Sequence, residues 1–214
     1  MINTKTVFDV GANDCYTTMC LGEAFPDVTV FGFEPSPQLC QKARDINIGN
    51  LPNYILTQCA VSDYNGSAVF KMTAPEYRGK CSSLLDFNDN AQKHWPGKED
   101  LNYAQEIEVP VVRLDTFIDQ WNWTHGAQQI IEIDYFHCDT QGNDLKALQG
   151  LGKWLKTIKR GVVEAPKNAE VALYKGQHTL DEMERFLWNN GFKITFKRAN
   201  DPLGNEWNIF FEKA

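Results

Sequence analysis

Three acidic positions in this chain stand where chemistry can begin. Asp9 ends an apolar run and opens the stretch Asp9-Val10-Gly11-Ala12-Asn13-Asp14-Cys15, Glu34 follows a second apolar run in Phe33-Glu34-Pro35, and Asp139 follows a third. A glycine just beyond a strand lets the backbone turn sharply and come close to a ligand. An acid at the end of the next strand can accept hydrogen bonds from both hydroxyls of a ribose. A carboxylate beyond a later strand can withdraw the proton that keeps an alcohol a poor nucleophile. The three together describe an adenosine-containing cofactor beside a hydroxyl to be activated.

Charge decides which cofactor is expected. A dinucleotide enzyme needs a G-x-G-x-x-G turn so that pyrophosphate can sit on a helix N-terminus, and only Gly11 is present here. Asp9 beside an anionic pyrophosphate would be costly, whereas a ligand with an ammonium and a sulfonium favours a carboxylate there. The residues therefore favour S-adenosylmethionine, its amino-acid end near Asp9 and Asn13. A nicotinamide-dependent oxidoreductase on the same sheet and a catalytically inactive cofactor-binding module are the alternatives. Asp139 has two further readings, a cap for a helix over Thr140–Leu151 and a ligand to a divalent metal joining the hydroxyl. His137 lies within the strand pattern and reads as a satisfied core residue. Glu164 either faces the acceptor or pairs with a nearby lysine.

Strand-like and helix-like runs alternate from the start, which implies a parallel sheet. Thr6–Val10 and Val28–Phe33 read as strands flanking a helix over Thr17–Phe25. Ser36 caps a helix with Pro37 in its first turn and Leu39, Ala43 and Ile46 on one face. Tyr54–Cys59 supplies a third strand. Asn65-Gly66 within Ala60–Met72 signals a hairpin. From Thr73 to Ala104 the pattern dissolves, and the segment, with Tyr77, Arg78, Lys80, Ser82, Ser83, His94 and Trp95, is expected to form a lid over the acceptor. Ile107–Arg113, a helix around Leu114–Trp121, a central strand Ile130–Cys138, a helix Asp144–Leu151 and a strand from Gly161 to Glu164 follow. Thr179 with Glu182 forms a capping box, Gly191 ends that helix, and Phe192–Phe196 and Trp207–Phe211 read as the last strands.

The 214 residues fit one domain, and 43% hydrophobic with 23% charged residues is an ordinary globular composition. A net charge of −7 lacks the positive field that attracts a phosphate backbone, so nucleic acid is not expected as a partner. Lys153, Lys156, Lys159 and Arg160 read as a solvated helix end. The six cysteines form no C-x-x-C pair and read as buried thiols. MINTKTVFDV enters a strand directly, with no apolar leader, which points to the cytoplasm and away from a membrane. The sequence carries no reading of oligomeric state.

Four stretches in order, Val7-Phe8-Asp9-Val10-Gly11-Ala12-Asn13-Asp14, Phe33-Glu34-Pro35-Ser36-Pro37, Val112-Arg113-Leu114-Asp115-Thr116-Phe117 and Cys138-Asp139-Thr140-Gln141-Gly142-Asn143-Asp144-Leu145-Lys146-Ala147-Leu148-Gln149-Gly150, together resemble the FkbM-type methyltransferases. The resemblance runs to about Phe211. It implies an α/β, Rossmann-like class I methyltransferase fold, a mostly parallel seven-stranded sheet with helices on both faces, in one domain over residues 1–214. It implies methyl transfer from S-adenosylmethionine to a hydroxyl of a small molecule or a sugar. By position, Asp9, Gly11, Ala12, Asn13, Thr17, Glu34 and Pro35 look like cofactor residues, and Ala60, Val61, Ser62 and Asp63 like the loop beside the adenine. Asp139, Gln141 and Asp144 look like the active-site turn. Two positions depart from the family: Cys15 stands where Gly is usual, and Asp144 where Glu is usual. If φ at Cys15 is positive, its side chain is expected to crowd the cofactor's tail.

Overall fold

A computed structural model describes residues 5–46, 50–74, 80–89, 91–95 and 101–214. Tyr77 and Arg78 of the expected lid lie outside the described residues.

The alternation read from the sequence is built as a seven-stranded sheet. Its strands are β1 (Lys5–Val10), β2 (Val28–Phe33), β3 (Tyr54–Thr57), β7 (Tyr135–Cys138), β8 (Arg160–Pro166), β9 (Phe192–Ala199) and β10 (Glu206–Lys213), in the order β3-β2-β1-β7-β8-β10-β9. All neighbours pair in parallel except β10, which runs antiparallel to β8 and β9. The chain lays down β1 to β3 in one direction and then places β7 on the other side of β1. The carboxyl ends of β1 and β7 therefore flank the point where strand order reverses, the place where open α/β sheets bind ligands.

Period-two alternation sends neighbouring side chains of each strand to opposite faces. Phe8, Val10, Phe31, Phe33, Phe136 and Phe211 pack on one face against helices α4 (Leu114–Thr124), α5 (Asp144–Gln149) and α6 (Leu180–Asn189). Val7, Val28, Val30 and Tyr54 pack on the other with α1 (Tyr16–Ala24) and α2 (Pro37–Asp45), through Met19 and Ala43. The first face carries an aromatic stack in which Phe117 and Trp121 meet Phe8, Phe31 and Phe33 at ring separations of 4.9–6.4 Å. Each such pair adds about 0.5–1.5 kcal/mol beyond the area it buries. On α2, Ser36 caps as expected, but Cys40 and Ala43 bury while Ile46 faces out, so the apolar stripe is turned from the expected one.

The hairpin expected at Asn65-Gly66 does not form. Strands β4 (Ala60–Val61) and β5 (Gly66–Thr73) both pair with β6 (Tyr103–Val112), the first parallel and the second antiparallel, in a separate three-stranded sheet. Asn65 instead bridges outward: its Oδ1 accepts from Arg113 N (2.8 Å) and its Nδ2 donates to Thr116 Oγ1 (2.9 Å). The strand expected over Ile130–Cys138 is shortened to β7 because the Asn122 side chain takes both backbone groups of Ile130. Within the segment expected to be an unstructured lid, the helix α3 (Ala91–His94) and Cys81, Trp95 and Leu101 pack on Leu173 and Tyr174.

Candidate active site

The first loop is shaped by a backbone contact. Gly11 has φ +84°, and a Cβ there would lie 1.9 Å from the carbonyl oxygen of Asp139, so no other residue fits. Gly11 N and Ala12 N both donate to Phe33 O (2.9 and 3.0 Å), tying the loop to the end of β2. Asn13 N then donates to Glu34 Oε2 (2.9 Å), and Ser36 N to Glu34 Oε1 (2.8 Å). Glu34 is buried in the cavity wall. A carboxylate has about four acceptor sites, and these two bonds use half of them. Burial, with Asp9 and Asp139 adding repulsion, pushes its carboxyl up to about 8 against the pull of the two N–H donors.

Asp9 is more heavily engaged than its type suggests. Its Oδ2 accepts from Thr18 Oγ1 (2.5 Å) and its Oδ1 is 2.8 Å from His137 Nδ1. Thr18 gives its one proton to Asp9, so the Tyr54 hydroxyl, 2.9 Å away, donates to Thr18. His137 is thus no core residue: its side chain is 40% exposed and lines the cavity. Burial opposes its charge, but Asp9 first, then Asp139 and Asp144, raise its pKa above the usual imidazole range. His137 lies on β7 opposite Asp9 in the register, two residues before Asp139.

At the end of β7, Asp139 Oδ1 accepts from Gln141 Nε2 (2.6 Å). Gln141 sits in the left-handed region at φ 55°, a conformation costing about 1–3 kcal/mol that its surroundings impose. Tyr174 donates its hydroxyl to Gln141 Oε1 (2.7 Å), and Ser83 donates to Gln141 O (2.6 Å). Asp139 is no cap: the residue ahead of α5 is Asn143, which instead donates to Val61 O (2.8 Å). Glu164, on β8, lies within the field of the Asp139 carboxylate, and its Oε1 accepts from Asn200 Nδ2 (2.9 Å). Burial, together with Asp139, Glu206 and Asp144, holds the Glu164 carboxyl well above its ordinary range.

Asp144 lies off the cavity surface. Buried behind the wall, it accepts from Thr140 N and Oγ1 through Oδ1 and from Glu164 N through Oδ2. Burial and Asp139 push its carboxyl up to about 6. It fixes the turn and the neighbouring strand but is not among the lining residues. Ser62 and Asp63 also lie off the cavity, with Asp63 O accepting from Arg113 Nη1 (2.6 Å). Gly11, Ala12, Asn13, Thr17, Glu34, Pro35, Ala60 and Val61 do line it, with Asp9, Asp139 and Gln141. Cys15 has φ 59°, yet its side chain turns away, packing with Met19, Val28 and Tyr54. Among the described residues no cluster of His, Cys, Asp and Glu is arranged to hold a metal.

The cavity measures about 1430 Å³, above the roughly 300–1,000 Å³ of a pocket for one drug-sized ligand. It has room for a cofactor and an acceptor together.

The sheet and its switch-point cavity define the class, a Rossmann-like fold of the methyltransferase type. The sequence profile described as the methyltransferase FkbM domain matches residues 9–194, and the chain belongs to that family. Among solved structures it is similar to a methyltransferase FkbM from Methylobacillus flagellatus KT (12% identity, TM-score 0.57), covering 98% of this chain and 44% of that one. The chain thus spans less than half of that relative. It is also similar to magnesium protoporphyrin IX methyltransferase (ChlM) from Synechocystis PCC 6803 with bound SAM (13% identity, TM-score 0.51, 99% and 72% covered). A third likeness is to the Methanococcus jannaschii fibrillarin pre-rRNA processing protein (13% identity, TM-score 0.52, 99% and 68% covered). Among curated proteins none matches the chain. No helix among the described residues is long and apolar enough to cross a membrane.

Proposed function

We propose that the chain is one S-adenosylmethionine-dependent O-methyltransferase domain acting on a hydroxyl of a small molecule or a carbohydrate. The observation that carries this reading is one cavity lined both by Glu34, with acceptor sites to spare for a ribose, and by Asp139, held by Gln141. The residues fit the cofactor: Gly11 keeps the loop backbone bare, and Phe33, Ala60 and Val61 offer an apolar wall for a base. When bound, the cofactor supplies an activated methyl group.

The chain's own residues do the rest. Glu34 fixes the ribose, and the Gly11–Asn13 loop sets the depth of the amino-acid end. Asp139 sits within hydrogen-bond reach of an acceptor hydroxyl and takes its proton as the oxygen attacks. Gln141 donates to Oδ1 of that carboxylate and fixes its orientation. Glu164, keeping its proton to higher pH than an ordinary glutamate, donates to Asp139 or shares the accepted proton. Alignment supplies most of the rate, with proton removal adding about 10²–10⁴-fold. The segment around 73–104 covers the acceptor: Lys80, Ser82, Leu84 and Trp95 line the cavity, Trp95 offering an aromatic face to a sugar. The net charge of −7 and the acids at this end suit a neutral or cationic acceptor better than a nucleic acid.

The test is methyl transfer from labelled S-adenosylmethionine to a panel of free sugars, glycosides and simple alcohols, with the product located by mass spectrometry. The wild-type protein should yield an O-methyl ether, and Asp139→Asn should lower turnover about 10²–10⁴-fold with cofactor affinity nearly unchanged. Label on nitrogen or carbon would refute the O-methyl reading. Normal turnover in Asp139→Asn would move the base to Glu164, and loss of the wild-type reaction to a chelator would make Asp139 a metal ligand.

A further inference from the structure

The cavity wall is short of positive charge. Asp9, Asp14, Glu34, Asp139, Glu164, Asp201 and Glu206 line it, and among the described lining residues only Lys80 and His137 can be cationic. Lys80 belongs to the segment that packs through Cys81 on Tyr174, on the acceptor side. A ligand that brings an α-carboxylate into the Asp9 side therefore has one cationic partner there.

That partner is built in. Asp9 Oδ1 holds His137 Nδ1, so Nδ1 carries the proton and Nε2 points away from Asp9. Asp9 is fixed in turn by Thr18 and, through it, by Tyr54 on β3. Room for the Tyr54 hydroxyl depends on Gly32, where a Cβ would approach it to 2.6 Å. Four elements thus set one imidazole ring, half exposed to the cavity. The charged groups that act on it are Asp9 on β1, Asp139 just beyond its own strand and, from behind the wall, Asp144 on α5, all of which favour the imidazolium.

We propose that His137, oriented by Asp9, donates from Nε2 to the α-carboxylate of the cofactor's amino-acid end, an inference that rests on the S-adenosylmethionine reading above. Asp9 is then a positioning residue that acts through His137.

Calorimetric titration of the intact protein with S-adenosylhomocysteine and with 5′-methylthioadenosine, which has the same nucleoside but no amino-acid end, separates the two readings. His137→Gln should weaken S-adenosylhomocysteine about ten- to hundred-fold and leave 5′-methylthioadenosine unchanged. His137→Lys, which restores a cation, should recover most of that loss. Raising the pH through the titration of His137 should bring the wild-type affinities for the two ligands together. Equal weakening of both ligands by His137→Gln, no weakening of either, or no recovery in His137→Lys would overturn the assignment. A wild-type protein that binds neither ligand would overturn the cofactor reading along with it.

Discussion

The two ends of the cavity are held by different means. At the end proposed for the cofactor, Gly11, Ala12 and Asn13 hang on Phe33 and Glu34 through backbone N–H groups, and these hydrogen bonds all fall within residues 11–36. At the end proposed for the acceptor, Asp139 is set by Gln141, which leans on Ser83 and Tyr174, while Glu164 leans on Asn200 and on Asp144. Those partners lie 20–58 residues apart and meet mostly through side chains. A backbone-held loop tolerates almost no change where it turns and much change elsewhere. A side-chain network can lose one member and keep its fold while its chemistry changes.

The sharpest test of this contrast is Gly11→Ala. The added Cβ would meet Asp139 O at 1.9 Å at a φ of +84°, and a backbone atom cannot move aside as a flexible side chain can. The expected outcome is a loss of stability on the order of several kcal/mol, with no cofactor binding left, read by denaturant unfolding and by titration with S-adenosylhomocysteine. A variant that unfolds and binds like the wild type would show that the loop yields, and the contrast would fail.

Glu34 tests the same end through charge. Measured above about pH 8, where the carboxyl is ionised, Glu34→Gln should weaken S-adenosylhomocysteine by about 1.5–3 kcal/mol, the loss of a charge-assisted hydrogen bond. It should also change the pH dependence of the free protein. The folded-state carboxyl lies near 8 against an ordinary 4.5, so the native state favours the protonated form. Its stabilising contribution is full below about pH 4.5 and fades as pH rises through about 8, by an amount on the order of a few kcal/mol. Glutamine cannot ionise, so the stability gap between the two proteins should drift against the wild type over that window. Melting curves that stay parallel from pH 5 to 9 would show that Glu34 is not strained by burial.

These differences explain what the sequence could and could not reveal. The capping box at Thr179 announces itself because its partners are close in the chain, and Gly11 and Glu34 because each stands just beyond a strand with a clear apolar pattern. Asp139 is visible as a strand-end acid, but its partners Gln141, Ser83 and Tyr174 meet only in the folded chain. His137 was misread because strand periodicity shows which face a residue shares, not whether anything covers that face. The hairpin at Asn65-Gly66 failed for a related reason: the turn signal is local, while the competing strand β6 begins some forty residues later and pairs with both sides of the turn.

The smallest expected effect belongs to Cys15, the departure that invites the reading of a damaged cofactor site. Cys15 holds φ 59°, which costs a side-chain-bearing residue about 1–2 kcal/mol relative to glycine. Against that, its side chain is almost fully buried among Met19, Val28, Val30 and Tyr54, and removing it would open a small cavity worth a similar amount. Glycine would also cost the unfolded chain about 0.5–1 kcal/mol more in ordering. The opposing effects nearly cancel, so Cys15→Gly should move stability by no more than about 1 kcal/mol. Because Cys15 faces the core beneath the loop and is not among the residues lining the cavity, the affinity for S-adenosylhomocysteine should stay the same. A marked gain in affinity would mean that the thiol does crowd the bound ligand and that this end of the cavity adjusts when it fills. That result would erase the contrast with the acceptor end, since both ends would then depend on side chains that can move.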